Sequence, residues 1–247
     1  MEREKSFGLN RDVIKYFAMF TMLLNHIGNI FLEPGTVWHE ALLDIGYFTA
    51  ITMCYFLVEG YGYTRSKSSY RNRLLFWAVI SQIPFGLALS SGEILRFTGF
   101  NMLFTLFFCF LIIDVIHTAS RRWKKVLYVI LLLIPCLFCD WFILAPVFTL
   151  LFLWAGKDKK RLAVAYGISM GAFGLLSMGS FYEYTGAALF FVVAGKVSGM
   201  LLSGICIIWL YNGKRMERGR IFSKWFFYIF YPAHLLILGI IRIAMGL

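Results

Sequence analysis

The chain has 247 residues, of which 60% are hydrophobic and 15% charged, and its mean hydropathy is +0.74. A water-soluble domain does not sustain that composition, so the sequence reads as a polytopic membrane protein. Its net charge of +11 does not point to nucleic acid, because the basic residues lie in short loops between apolar runs, where they set topology.

No cleavable signal peptide is expected. The opening MEREKSFGLNRD is mixed in charge, and the apolar run after it is too long and lacks a small-residue cleavage site. Residues 9–31, LNRDVIKYFAMFTMLLNHIGNIF, predict a first span. On a helix, Asp12, Lys15, Met19, Met22, His26 and Asn29 share one stripe, and Val13, Tyr16, Phe17, Phe20, Leu24, Ile27 and Phe31 take the other side. The rise from Asp12 to His26 is about 21 Å, within a hydrocarbon layer about 30 Å thick. His26 therefore lies deep in the membrane, where an ionisable group either serves chemistry or hydrogen-bonds a neighbouring helix.

The loop 33–40 is acidic and free of Lys and Arg. Span two runs from about Leu42 to Tyr63, and the loop TRSKSSYRNR after it carries Arg65, Lys67, Arg71 and Arg73. Span three (about 74–90) and span four (about 101–117) lead to the cluster Arg121, Arg122, Lys124 and Lys125. Spans five (126–139) and six (141–156) turn at Asp140 and are short enough to imply a thinned bilayer or partial burial. Lys157, Lys159, Lys160 and Arg161 precede span seven (162–178), which a polar turn, GSFYEYTG, separates from residues 187–211. That stretch is too short for two crossings and long for one, so the part before Lys196 is expected to be re-entrant or interfacial, bent at Gly195 and Gly199. The basic loop GKRMERGRIFSK leads into a last span at 225–245.

With alternate loops assigned to the cytoplasm, all of the 24 Lys and Arg except Arg96, Lys196 and Arg242 fall on the inner side. The expectation is an all-α polytopic membrane bundle of about nine transmembrane helices plus that re-entrant segment. It forms one domain over 1–247, with its N-terminus cytoplasmic and its C-terminus outside. No inverted repeat of the transporter kind is visible.

Several spans carry buried polar groups. Gln82 belongs to span three, and Asn101, Thr105, Asp114 and His117 belong to span four. Glu59, near the inner end of span two, is either catalytic or in a structural ion pair with Arg65 or Lys15. In FFYIFYPAH of the last span, Pro232 frees the carbonyl of Tyr228, and His234 sits at a depth comparable to that of His26. The two histidines can flank a reaction centre, or His234 can simply bond a backbone carbonyl or a tyrosine hydroxyl. Arg11, Lys15, Arg65, Arg71 and Arg73 gather at the inner ends of spans one to three, where guanidinium forks suit phosphate. A P-loop and a GxGxxG turn are absent, and GYG at 60–62 lacks the frame of a potassium filter. The five cysteines fall in or beside apolar runs; Cys136 and Cys139 are spaced CxxC without a second pair or a histidine cluster, so no metal site is expected.

Blocks of this chain resemble the TraX family of membrane proteins, named for an F-pilin acetylase and related to acyltransferase family 3. They are NRDVIKYFAMFTMLLNHIGNIF, FLVEGYGYTRSKSSYRNRL, ISQIPF, NMLFTL, LYNGKR and FFYIFYPAHLLIL, in the family's order. The resemblance implies transfer of an acetyl or other acyl group from acyl-CoA, with His26 catalytic and Arg65, Arg71 and Arg73 on the coenzyme phosphates, helped by Arg11 or Lys15. It implies a place in the bacterial cytoplasmic membrane. Asn101 or His234 would then donate to the oxyanion, with no metal required. The acceptor can be a pilin or other peptide amine, a glycan or a lipid. Asn25 stands where the family usually has Asp, and Tyr47 followed by FTAITM stands where it has Arg followed by AFPIF. A secondary transporter or flippase, and a non-catalytic scaffold in a secretion or conjugation assembly, are the alternative classes. The first does not need arginines matched to a nucleotide diphosphate, and the second predicts that His26→Ala leaves function intact.

Overall fold

Short polar side chains set the helix starts. Asn10 accepts the N–H groups of Asp12 and Val13, both at 3.0 Å, and opens α1 (Arg11–Phe31). Thr36 caps α2 (Val37–Tyr63), Ser66 caps α3 (Lys67–Leu89) and Asn101 caps α4 (Met102–Thr118). Each such cap contributes about 1 kcal/mol. Helices α5 (Arg122–Cys136), α6 (Leu144–Ala155), α7 (Lys159–Ser177), α8 (Gly186–Ile205) and α9 (Arg220–Ala244) complete the chain, α8 running on through one π-helical turn, Cys206–Leu210. The structure is a computed structural model and describes residues 8–90, 92–177 and 186–247. The first seven residues and positions 179–185 of the polar turn lie outside the described residues. Among the described residues there is no strand, and the fold is all-α.

Caps move two boundaries from their expected places. Thr36 starts α2 five residues before Leu42, and Ser66 draws the basic loop into α3, so Arg71 and Arg73 are helical residues. Among the described residues, four helices are long and apolar enough to cross a membrane: α2, α3, α9, and α8 with its π turn. Large apolar side chains such as Phe76, Ile83, Phe190, Trp209 and Ile237 face outward, as a lipid-facing surface requires. At 12 residues, α6 is about 18 Å long. It is an interior helix, burying Phe148, Phe152 and Thr149 against α2, α4 and α7. By contrast α5 lies at the periphery on α4 and buries only Cys136.

The bundle is organised around α2, which packs against α1, α4, α6 and α8 and places Phe48, Ile51 and Phe56 in the core. Its contact with α8 corrects the expected re-entrant bend. Helix α8 runs unbroken through Gly195 and Gly199, because those glycines serve close approach: a Cβ at Gly199 would overlap the Asp44 carbonyl oxygen, and the Phe48 nitrogen lies 2.9 Å away. Gly199→Leu is expected to separate the two helices and lower the thermal midpoint in detergent by more than Gly167→Leu, where a Cβ meets nothing within 4 Å. Overpacking of this kind costs about 1–3 kcal/mol. Equal midpoints for the two variants would contradict the packing.

Two further contacts place the site. Helix α9 packs against both α1 and α3, which brings the last and first spans side by side. The segment after the π turn is tied to the start of α1. Leu9 donates to the Leu210 carbonyl (2.7 Å), Arg11 N–H to Lys214 O (2.9 Å), and Met216 N–H to Asp12 Oδ2 (2.8 Å). These bonds hold the α8–α9 loop over the inner end of the bundle.

Candidate active site

The stripe on α1 is buried as its periodicity predicts. Asp12, Met19, Met22 and His26 face the interior, and Val13, Phe17 and Phe20 face out. Two residues depart: Asn29 is exposed and bonded back to Asn25, and Tyr16, expected outside, is half-buried against α9 with its hydroxyl 2.9 Å from that of Ser223. Pairing of α1 with α9 sets the His26 Nδ1 2.9 Å from the His234 Nε2, both residues buried. The His234 Nδ1 lies 2.7 Å from the Phe230 carbonyl oxygen, and a carbonyl only accepts. With both rings neutral, the proton order follows. His234 Nδ1–H donates to Phe230 O, His234 Nε2 accepts from His26 Nδ1–H, and the lone pair of His26 is left on Nε2. Among the described residues no partner engages that atom. Phe230 stacks on His234 at 4.9 Å between ring centroids, which fixes the ring plane.

Below the pair, at the other end of α1, opens a cavity of about 590 Å³, within the range of small-molecule sites. Among the described residues, seven cationic side chains line it: Arg11 and Lys15 from α1, Arg65 before α3, Arg73 from α3, Arg215 from the α8–α9 loop, and Arg220 and Lys224 from α9. Among the described residues, the sole carboxylate in the lining is that of Asp12, which already accepts from Met216. Farther in the lining turns apolar, with Met53, Phe56, Leu57, Leu103, Leu106 and Phe227. The cavity does not reach His26. Lys15 is about 16 Å below it on the helix axis, and the buried methionines Met19 and Met22 fill the same stripe between them.

The other expected site residues separate into two groups. Arg11, Lys15, Arg65 and Arg73 line the cavity, whereas Arg71 does not; it is exposed, and its Nε approaches Asn72 Oδ1 at 3.4 Å. Residues two apart on a helix point to nearly opposite sides, so Arg71 faces away from the cavity that Arg73 lines. Glu59 is at the cavity end, with Arg11 Nη1 3.8 Å from one carboxylate oxygen and the Tyr211 hydroxyl donating to the other at 2.8 Å. Its ion-pair partner is thus Arg11, not Arg65 or Lys15. The Asn101 side chain caps α4 and gives both amide hydrogens away, to Ala78 O (2.8 Å) and Gln82 Oε1 (2.9 Å). It has no N–H left for an oxyanion, and neither has His234, whose two nitrogens are engaged.

Four residues enter that sequence reasoning missed. Arg215, Arg220 and Lys224 belong to the basic run read only as a topology signal; its position on the same side as Arg11 was the available clue. Tyr231, one residue before Pro232, stands beside His234 at 5.8 Å between ring centroids. Its hydroxyl oxygen accepts from Met102 N–H at 3.3 Å, which leaves its own proton to give.

A family model described as TraX protein matches residues 10–242. The chain is 31% identical over 236 residues to "Probable fimbrial assembly protein FimC, serogroup H1" of Dichelobacter nodosus, covering 91% of this chain and 92% of that protein. No solved structure matches. With nearly the whole helical bundle inside the matched range, the chain belongs to the TraX protein family.

Proposed function

We propose that the protein is an acyltransferase of the bacterial cytoplasmic membrane, N-terminus inside, that moves an acetyl or similar acyl group from cytoplasmic acyl-CoA to an acceptor amine or hydroxyl. The observation that carries this reading is the oriented His26–His234 pair above a cavity that is cationic at its mouth and apolar at its depth. The coenzyme has the same polarity order, phosphates at one end and a thioester on a thin arm at the other. To reach His26 the arm must part the side chains of Met19 and Met22, which are unbranched and adaptable.

In the reaction, His26 Nε2 takes the proton of the acceptor as its nitrogen or oxygen bonds to the thioester carbon. The C–S bond then breaks, and the same proton passes to the departing coenzyme sulfur. Tyr231 is the hydrogen-bond donor for the oxyanion. His234 acts through His26, fixing its tautomer. His234→Ala is expected to lower kcat on the order of a hundredfold with KM for acyl-CoA unchanged. His234→Gln, whose side-chain oxygen can accept from His26 Nδ1–H, restores part of it. Equal loss in both variants contradicts that role.

The name of the Dichelobacter relative, a fimbrial assembly protein, favours a fimbrial subunit as acceptor over a glycan or lipid. The test incubates the purified protein with acetyl-CoA labelled in the acetyl group and a pilin-type peptide, its N-blocked form, or an oligosaccharide. Thiol release together with label on the free-amine peptide is expected. Absence of coenzyme release with every acceptor, alongside proton-coupled solute uptake in proteoliposomes, would replace this reading with transport.

A further inference from the structure

A second cavity of about 460 Å³ adjoins the first and shares Arg11, Tyr63, Arg215 and Arg220 with it, adding Lys214 and Glu217 on the α8–α9 loop. The two differ in kind. The larger continues inward onto Met53, Phe56 and Phe227, whereas among the described residues no aliphatic side chain lines the smaller. An extended thioester arm therefore fits only the first, and the second suits a compact anion.

Between them stands Arg11, 6% exposed, with its Nε buried and without a hydrogen-bond partner among the described residues, and its Nη1 only loosely paired, 3.8 Å from Glu59. A buried guanidinium nitrogen left open is costly unless something accepts from it. On the loop, partial burial lowers the pKa of Arg215 from its ordinary value, and the neighbouring charge of Arg11 acts the same way. The junction has more positive charge than its own carboxylates offset. The loop is not free to move its charges apart, since Arg11 N–H bonds the Lys214 carbonyl and Asn212 Oδ1 accepts from Lys214 N–H at 2.9 Å.

Resting on the acyl-CoA reading, we propose that the smaller cavity is a phosphomonoester subsite that holds the ribose 3′-phosphate of the donor, while the larger cavity takes the diphosphate and the arm. Tyr63, shared by both cavities and 56% exposed, supplies an aromatic ring where the purine must lie, a stacking contact. The protein then selects a 3′-phosphorylated coenzyme thioester and rejects the same thioester on a carrier that ends at the pantetheine phosphate.

The test is equilibrium binding to the full-length protein in neutral detergent, with acetyl-CoA and its 3′-dephospho analogue as probes, on wild type and Lys214→Ala. This substitution leaves the backbone bonds of Lys214 in place. Acetyl-CoA is expected to bind wild type about tenfold more tightly than the analogue, the value of one charge-assisted contact. In Lys214→Ala that preference falls below about threefold, with binding of the analogue unchanged. Equal binding of the two probes to wild type overturns the subsite and leaves the donor reading standing; binding of neither overturns both. A repeat in phosphatidylglycerol nanodiscs tells a lipid headgroup from the donor. Loss of the preference there alone assigns the cavity to lipid and overturns the proposal, and its persistence supports the donor phosphate.

Discussion

His26→Ala is expected to abolish acyl transfer, by about a hundredfold to ten-thousandfold, while leaving the affinity for acyl-CoA within about twofold of wild type. The two effects separate because the residue that does the chemistry lies outside the cavity that binds. His26 is buried about 16 Å above Lys15, and none of the cationic side chains around the cavity touches it. Alanine also leaves the His234 Nε2 without its donor, a buried vacancy costing about 1–3 kcal/mol, so the variant should melt earlier. His26→Asn keeps a side-chain N–H for His234 but offers no basic nitrogen. It should melt closer to wild type and be equally inactive. Retention of transfer in the asparagine variant would remove His26 from the mechanism. The same protein separates proton transfer from an acyl-imidazole route. Wild type preloaded with labelled acetyl-CoA, freed of donor and then given acceptor yields product only if the label had moved to the ring.

Arg73→Ala and Arg215→Ala are each expected to weaken acyl-CoA binding on the order of tenfold, the value of a hydrogen bond to a charged group, whereas Arg71→Ala changes it by less than about twofold. The three arginines share a side of the membrane and a charge, so a diffuse electrostatic effect would treat them alike. What distinguishes them is aim. Arg73 and Arg215 line the cavity and Arg71 does not, and the buried Nε of Arg73 has no partner among the described residues. Binding should also weaken as salt rises, and less so in the two cavity variants, because fewer charges remain to be screened. Equal losses at Arg71 and Arg73, measured by titration at one salt concentration, would contradict the placement.

Much of the architecture was legible because membrane helices obey strong local rules. The stripe Asp12, Met19, Met22, His26 on α1 follows from helical periodicity, and its burial follows from the cost of polar groups in lipid. The caps are equally local: Asn10, Thr36, Ser66 and Asn101 are short polar residues ahead of apolar runs. Gly195 and Gly199 misled, because a glycine that permits a bend and one that permits close packing look the same in one dimension. Only the neighbour decides, here Asp44 and Phe48 of α2. Asn101 misled in a related way. A buried amide needs partners, and which partners it has, Ala78 and Gln82 rather than an oxyanion, depends on how α3 meets α4.

The amino-acid sequence by itself determined that this is an all-α membrane protein with a histidine deep in its first helix and its positive charge gathered in alternate loops, since hydropathy, periodicity and charge position are properties of neighbours along the chain. Tertiary structure alone decided that His26 meets His234 across 208 positions, that the resulting tautomer leaves the lone pair on Nε2, and that Arg215 and Arg220 join Arg73 at one cavity while Arg71 turns away. Those facts are distances between side chains on different helices, set by how the helices pack, and no local pattern contains them.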